Sequence, residues 1–402
     1  MEREDVLLIS SLLYALDYSS CPQHLNRKFA TEMKKYCTEN NFANGFQCEE
    51  VLDLLKLVYF TDTYKLTSET HITSVQSTPS YQLDPALADV SEEEEFEFRK
   101  DMFSFLKSYL FSKRELFAEE EHVMRRFHTF FTDFITYLPA KVKDLKNRCE
   151  DTAKTIHLYN EQGLTHPPNL PRDYENFLEC MSLFYSEDDF NLSSEYFSTE
   201  LQHAYLNKFV RSATVDHPFM FIHNVKMLAG LAKGCPLGVF NLLKQNGHSL
   251  SLEHFFDSII KYLGSFGSQV AFNGPSVYQS DTYQRVINDS MKFTVNPVEI
   301  VGICTYLDLI EVLCRNSTNV QHFFTSTKTH WLKVAVSAAK VRSIPREIRA
   351  KMLNAAASMI AKDAIGAETA LNLWEMFYSV RLIDYGSGDL RVSYIERTCE
   401  YI

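Results

Sequence analysis

The sequence predicts an all-α protein of the α-solenoid class, and three observations predict it. Apolar residues recur at helical spacing along most of the chain, no strand-like alternation of useful length occurs, and Gly and Pro are scarce, at 13 and 12 of 402 residues. The clearest stretch, Pro218 to Leu263, reads as three amphipathic helices separated by very short breaks. None of these helices could bury its apolar stripe alone, so each needs helical neighbours, as in a solenoid.

Composition narrows the class of function. The net charge of −12 and the pI near 5.6 argue against a nucleic-acid binder, whose affinity depends on a basic surface. The nine cysteines show no CxxC spacing, which favours buried thiols in a reducing compartment over a disulfide framework. No apolar run approaches the roughly 20 residues of a membrane span. The charged start followed by a helix-spaced apolar run favours an amphipathic helix over a signal peptide.

Residues 1–66 are predicted as helical repeats, with helices from about Arg3 to Leu16, from Asn26 to Thr38 and from Glu49 to about Tyr59. The third of these helices is apolar nearly all round, so we expect it to be central. Residues 67–91 are rich in Ser and Thr, contain two prolines and have no period, which predicts a loop or disordered insert.

Residues 92–263 are predicted as helical solenoid. Ser91 begins this region with a capping box to Glu94, and the acidic run Glu92–Glu95 suits the positive end of the helix dipole. That run reads either as a solvated first turn or as a docking patch. Further helices are expected from about Leu116 to Leu138, after Pro139, from Asp173 to about Tyr185 and from about Glu200 to Ala213, with an irregular segment at Ser186–Thr199.

The three helices of the Pro218 to Leu263 stretch carry local signals at their ends. The signals are prolines at first helical positions, glycines just past helix ends and one serine N-cap. The residues are Pro218 and Pro236, Gly234 and Gly247, and Ser251. Residues 264–295 then contain several glycines without a helical period, which predicts a long surface loop or lid.

Residues 296–402 are predicted as solenoid again. Asn296 is a cap, Pro297 a first helical position and Glu299 its acidic partner. Further helices are expected at Val320–Phe324, at Trp331–Val341, from Pro345 with a cap at Ser343, and at Ala367–Tyr378. The last segment, from Asp389, keeps its apolar residues in phase to the final residue without a polar cap, which predicts that the chain is a piece of a longer solenoid.

No catalytic, cofactor-binding or metal-binding constellation is evident. The string Gly264-Ser-Phe-Gly267 lacks the Lys and the preceding strand of a phosphate loop, so a helix C-cap is the better interpretation. Glu253 and His254 lie on the polar side of a helix without a second His or Cys at helical spacing. His122 and His128 are six residues apart and do not share a helix face well.

One basic cluster follows Pro139, and it comprises Lys141, Lys143, Lys146 and Arg148. Cations near a helix N-terminus oppose the helix dipole, at a cost of a few tenths of a kcal/mol each. One interpretation is a solvated face whose charges pair with the neighbouring Asp144, Glu150 and Asp151. The other is a docking face for an acidic partner. The sequence leaves both open.

Several strings, in the same order along most of the chain, resemble the nucleoporin 205 family. They include Asp133-Phe-Ile-Thr, Lys141-Val-Lys143, Leu145-Lys-Asn-Arg148, Lys208-Phe-Val-Arg211, Lys226-Met-Leu228, Leu242-Leu-Lys244, Glu253-His-Phe-Phe256, Leu373-Trp374 and Ile395-Glu-Arg397. None is a catalytic signature. The specificity of the resemblance comes from the number of strings and their order.

The resemblance implies an interior fragment of the N-terminal half of a large nuclear pore inner-ring scaffold, located in the nucleus at the nuclear envelope. It implies HEAT- or armadillo-like repeats, no enzymatic activity and no cofactor. It also implies partners among other nucleoporins, including the nucleoporin 93 and nucleoporin 53/35 classes, with no direct nucleic-acid contact. The alternative is a karyopherin-like transport receptor or helical-repeat adaptor. The absence of a strict period of about 40 residues favours the scaffold.

Overall fold

The computed structural model describes residues 9–11, 13, 53–54, 57–58, 61–62, 65, 102–162, 170, 172–215, 218–245, 247–264, 266, 296–327, 329–341, 343–360 and 364–379. Every regular element among these residues is helical and none is a strand, so the all-α prediction is confirmed. The chain divides into two compact units. Unit 1 holds Met1–Ala213 and His217–His223, and unit 2 holds Thr214–Asp216 and Asn224–Ile402.

Unit 1 is a stack of helices, several of which are linked by short π-helical and 3-10 turns. Its described helices are α1 (Met102–Phe105), α2 (Glu121–Tyr137), α3 (Pro139–Glu161), α4 (Asp173–Phe184) and α5 (Ala204–Val215). The last two residues of α5, Thr214 and Val215, belong to unit 2. A π-helical turn (Leu106–Leu110) and a 3-10 turn (Phe111–Leu116) follow α1, and further 3-10 turns at Tyr185–Glu187, Leu192–Phe197 and Leu201–His203 link α4 to α5. Helix α2 packs on α3, α3 on α4, and α4 on α1.

The core of unit 1 is aromatic. Phe131 of α2 lies against Phe184 of α4, with 5.4 Å between the ring centroids, and Phe103 of α1 meets Phe177 of α4 edge-on at 5.2 Å. All four rings are fully buried. Edge-to-face and tilted pairs of this kind add to the hydrophobic stabilisation of the buried area. The phenylalanine stripes of α1, α2 and α4 therefore bind these helices to one another.

Unit 2 contains eight described helices, of which the first has its initial residues, Phe221–His223, in unit 1. They are α6 (Phe221–Gly234), α7 (Pro236–Lys244), α8 (Leu252–Gly264), α9 (Pro297–Asn316), α10 (Thr318–Thr327), α11 (Thr329–Lys340), α12 (Arg346–Ser358) and α13 (Ala364–Ser379). Helices α7 to α8 and α9 to α12 pack on their sequence neighbours, α9 also packs on α12, and α11 packs on α13. Packing between successive helices is what a solenoid requires.

The core of unit 2 joins α8 to α9 through one tyrosine. The ring of Tyr306 stacks on Phe255, with 3.8 Å between centroids and 15° between planes. Its hydroxyl donates a hydrogen bond of 2.6 Å to the Leu250 carbonyl. A buried tyrosine needs such an acceptor, because an unpaired hydroxyl inside the protein costs free energy.

Several of the predicted helix signals are confirmed. The Asn296 side chain accepts a hydrogen bond from the Val298 amide at 3.0 Å, and the Ser251 hydroxyl accepts one from the His254 amide at 3.2 Å. Pro236 occupies the first turn of α7. Gly247 has a φ of +95°, the left-handed conformation predicted for it.

Other helix boundaries were predicted wrongly. The helix predicted from Leu116 begins instead at Glu121, because the preceding apolar residues form a 3-10 turn. Gly234 is the last residue of α6 and not a left-handed residue after it, since the chain turns at Cys235. The predicted cap Ser343 does not cap α12. Its hydroxyl donates to the Phe266 carbonyl at 3.0 Å.

The segment Ser186–Thr199, predicted to be irregular, is compact. One 3-10 turn lies within it and another overlaps its start, and Ser193 and Tyr196 are fully buried. The Asp188 carboxylate accepts hydrogen bonds from the amides of Leu192 and Ser193, at 2.9 and 2.7 Å, and so caps the second turn. Helical periodicity could not reveal this structure, because the segment is too short to show a period.

Several predictions lie outside the described residues. They are the helix Asn26–Thr38, the loop 67–91, the Ser91 capping box, most of the loop 264–295 and the segment from Asp389. The described positions of the first and third predicted helices are helical, and the described positions 61, 62 and 65, which lie after Tyr59, are helical as well. Among the described helices, none combines the length and the hydropathy needed to cross a membrane.

Candidate protein-binding surfaces

Helix α3 carries the predicted basic cluster. Its buried side is formed by Val142, Leu145 and Cys149, which are all under one-tenth exposed. Lys143 and Arg148 are exposed, whereas Lys141 and Lys146 are partly buried at the edges of the solvent side. The helix therefore presents its cations to solvent while its apolar stripe packs into unit 1.

The four cations of α3 do not form a single patch. At about 100° per residue, Lys141 and Arg148 fall on one edge of the exposed side, and Lys143 and Lys146 fall towards the other. The Arg148 guanidinium is also paired with the Asp144 carboxylate, at 2.7 Å between Nη2 and Oδ2. This pairing is one that the solvated-face interpretation expects. Under the docking interpretation, the candidate contacts are therefore two pairs of cations on separate edges of the helix.

A second surface lies on the outer side of α5 and the turn before it. We call it the α5 strip, and it consists of Leu201, Tyr205, Lys208 and Arg211. Leu201 is 94% exposed and Tyr205 51%, and both cations are exposed. The opposite side of the helix buries its own apolar stripe, formed by Leu206, Phe209, Val210 and Ala213. The strip was not recognised from the sequence, although Leu201 and Tyr205 stand out of phase with that stripe.

A network of buried polar side chains lies between α2 and the 3-10 turns that precede α5. His128 of α2 shares a hydrogen bond of 2.8 Å with the Tyr185 hydroxyl, which lies 3.1 Å from the Tyr196 hydroxyl. The other ring nitrogen of His128, Nε2, lies 3.1 Å from the Glu195 carboxylate. Burial raises the pKa of both tyrosines well above the usual value, so they remain neutral hydrogen-bonding groups. The network joins α2 to the 3-10 turns before α5.

A second polar cluster lies at the start of α6. His223 sits between two carboxylates of α4, with Nε2 3.7 Å from Glu175 and Nδ1 3.4 Å from Glu179. The Lys107 ammonium group is 3.1 Å from Glu179 and donates a hydrogen bond of 2.6 Å to Asn176. The Lys107–Glu179 ion pair and the polar contacts of His223 hold α4 in place. Both clusters join neighbouring elements of unit 1, so the geometry indicates support of the fold.

Comparison with known proteins identifies the family. A family model described as the nuclear pore complex scaffold, nucleoporins 186/192/205, matches residues 67–385. The chain belongs to this family. Its fold of stacked helices is that of a helical scaffold, and its location is the nuclear pore complex of the nuclear envelope, as predicted. Membership favours the scaffold hypothesis over the karyopherin-like alternative.

Two nucleoporins are similar in sequence to this chain. The chain is 25% identical to nuclear pore complex protein Nup205 of Homo sapiens over 456 aligned positions, which cover all of the chain and 22% of the human protein. It is 25% identical to nuclear pore complex protein Nup205 of Drosophila melanogaster over 228 positions, which cover 50% of the chain and 11% of that protein. The chain thus spans under a quarter of the length of each relative.

Proposed function

We propose that this chain is a segment of an inner-ring scaffold of the nuclear pore, and that it acts by binding other nucleoporins. The match of the scaffold nucleoporin family over residues 67–385 carries the proposal. The described surfaces agree with it, because they offer exposed cations and apolar side chains for contact. The proposed mechanism is binding alone, with support of pore assembly and nucleocytoplasmic transport as its consequence.

The partners proposed are nucleoporins of the 93 and 53/35 classes, which the sequence resemblance implies. Helical scaffolds bind such segments by laying an amphipathic helix or an extended peptide along grooves between their own helices. The test is to immobilise the chain, pass a salt extract of nuclear envelopes over it and identify the retained proteins. Enrichment of scaffold and linker nucleoporins is expected. Retention of soluble transport factors in a GTPase-dependent manner, without nucleoporins, would contradict the proposal.

The basic residues of α3 are proposed as one of the contact sites for an acidic partner segment. Since the cations lie on two edges of the helix, each edge is tested by its own charge reversal, Lys143→Glu with Lys146→Glu, and Lys141→Glu with Arg148→Glu. Each reversal on a contacting edge should lower the retention of a nucleoporin about tenfold, because like charges then face each other.

The matched control for α3 is Lys154→Glu. Lys154 lies on the same helix and is exposed, but it is paired with Asp151 at 3.1 Å. Reversal there changes the net charge by half as much as each edge variant, because each edge variant reverses two cations. If both edge variants retain nucleoporins as well as the control does, the cluster is a solvated face.

A further inference from the structure

The α5 strip differs from ordinary exposed surface in the way its side chains are arranged. Tyr205, Lys208 and Arg211 follow one another at three-residue steps on the exposed side of α5, and Leu201 precedes them in the 3-10 turn Leu201–His203. The leucine is 94% exposed, so its side chain makes almost no contact with the described part of the chain. Scattered single apolar residues are normal on surfaces, but here two exposed apolar residues are followed along the chain by two exposed cations.

The charges around the strip are ordered. Glu195 and Glu200 lie near its apolar end. The Glu195 carboxylate is 3.7 Å from the His203 ring. The Glu200 carboxylate accepts a hydrogen bond of 2.6 Å from Gln202. At the other end the Arg211 guanidinium is oriented by a hydrogen bond of 2.7 Å to Asn207. The strip thus runs from an apolar end to a basic end over roughly two to three helical turns.

We propose that the α5 strip is a docking site for an amphipathic, acidic helix of a partner protein. The apolar residues of that helix would cover Leu201 and Tyr205, and its carboxylates would lie over Lys208 and Arg211. Charge complementarity selects this occupant, since the chain carries a net charge of −12 and yet places two exposed cations on this one face. The biological role of the site rests on the proposed scaffold function, of which it would be one contact.

A membrane surface fits the strip less well than a single helix does. An extended anionic surface that reached Lys208 and Arg211 would also meet Glu195 and Glu200, which are 43% and 66% exposed. A helix can place its carboxylates only at the basic end. The electrostatic attraction is then gained without the repulsion at the apolar end.

The test uses the whole chain and a designed probe. The probe is a fluorescein-labelled helical peptide with Leu at positions i and i+4 and Glu at i+7 and i+11, and binding is followed by fluorescence anisotropy. Leu201→Ser, and separately Lys208→Glu with Arg211→Glu, should each weaken binding at least about tenfold. A second peptide with Lys in place of Glu should bind the charge-reversed variant better than it binds the wild type.

Two control variants test whether the loss of peptide binding is specific to the α5 strip. Circular dichroism checks that each protein is folded. Leu237→Ser removes another exposed leucine, and Lys154→Glu reverses another exposed cation; neither should alter binding of the probe. The proposal is overturned if the peptide does not bind, if the controls weaken binding as much as the strip variants, or if the charge-swapped peptide shows no preference. It is also overturned if Leu201→Ser weakens only the self-association of the chain, or only its binding to phosphatidylserine vesicles, and leaves peptide binding unchanged.

Failure of this site and failure of the proposed function have different signatures. If the designed peptide does not bind but the immobilised chain still retains nucleoporins, the α5 strip is not the contact and the scaffold function stands. If the peptide binds through the strip while nucleoporins are not retained, the docking site stands and the proposed partners are wrong.

Discussion

Arg114 is a buried cation whose guanidinium holds the end of α4 in place. Its Nε donates a hydrogen bond of 2.8 Å to the Phe184 carbonyl, and its other nitrogens bind the carbonyl and the carboxylate of Glu187. The Glu187 side chain is 71% exposed, so the carbonyl contacts matter more than the ion pair.

Arg114→Ala is therefore expected to lower the free energy of unfolding by about 3 kcal/mol, because buried acceptors lose their donor. The matched control is Arg125→Ala, which removes an exposed pair with Glu121 at 2.7 Å and should cost about 0.5 kcal/mol or less. Urea denaturation measures both values. Equal losses would contradict the assigned role of Arg114.

Glu195 gives the stability of unit 1 a defined dependence on pH. Its pKa is held below the usual 4.5 chiefly by the ring of His128, whose Nε2 lies 3.1 Å from the carboxylate. A carboxylate whose pKa falls on folding stabilises the folded state above its unfolded-state pKa, and this contribution is lost as the pH falls through the folded value. Glu195→Gln should thus be less stable than wild type at about pH 5.5, with the difference disappearing towards about pH 3. Thermal melts across this range test it, and a constant difference would contradict it.

At the scale of elements, the turn between α7 and α8 depends on one left-handed glycine. Gly247 has a φ of +95°, and a Cβ added to it would meet no atom of the described residues within 4 Å, its chain neighbours aside. The cost of Gly247→Ala therefore comes from backbone strain alone and is expected to be about 1 kcal/mol. Gly264 at the end of α8 has equally open surroundings and no positive φ, so Gly264→Ala should be neutral or slightly stabilising. Chemical denaturation of the two variants makes the comparison, and equal effects would show that φ is not the cause.

The elements that could be predicted from the sequence are those whose signals are local. The Asn296 cap, the Ser251 cap and Gly247 each act within a few residues, so residue type and spacing were sufficient to find them. The compact segment after α4 could not be found in that way. It is held by Arg114, which is 70 residues from its carbonyl partner Phe184, and by contacts of Tyr185 with His128.

The candidate surfaces could also be predicted only in part from the sequence. The cations of α3 could be listed from the sequence, but their division between two edges depends on which side of the helix is buried. Ser343 illustrates how a correct propensity leads to a wrong assignment. Its hydroxyl was available as a local cap, yet it donates to the carbonyl of Phe266, 77 residues away. Long-range packing decides such cases, and a single sequence does not reveal it.

At the scale of the whole molecule, each of the two units has its own core. The aromatic cluster around Phe131 belongs to unit 1, and the cluster around Tyr306 belongs to unit 2. In repeat proteins, stability is approximately a sum of local and nearest-neighbour terms, so a change in one core need not be felt equally in the other. Both tryptophans of the chain, Trp331 and Trp374, lie in unit 2. Tryptophan fluorescence therefore reports on unit 2, whereas far-ultraviolet circular dichroism reports on the helices of both units.

Phe131→Leu, which loosens the core of unit 1 by about 1.5 kcal/mol, is expected to lower the denaturation midpoint seen by circular dichroism while leaving the fluorescence midpoint almost unchanged. Ile310→Val, in the buried side of α9, is the matched change in unit 2 and should lower the fluorescence midpoint at a cost of about 1 kcal/mol. If Phe131→Leu shifts both midpoints by the same amount, the two units unfold as one cooperative body. The two cores are then coupled more strongly than interactions between neighbouring repeats allow.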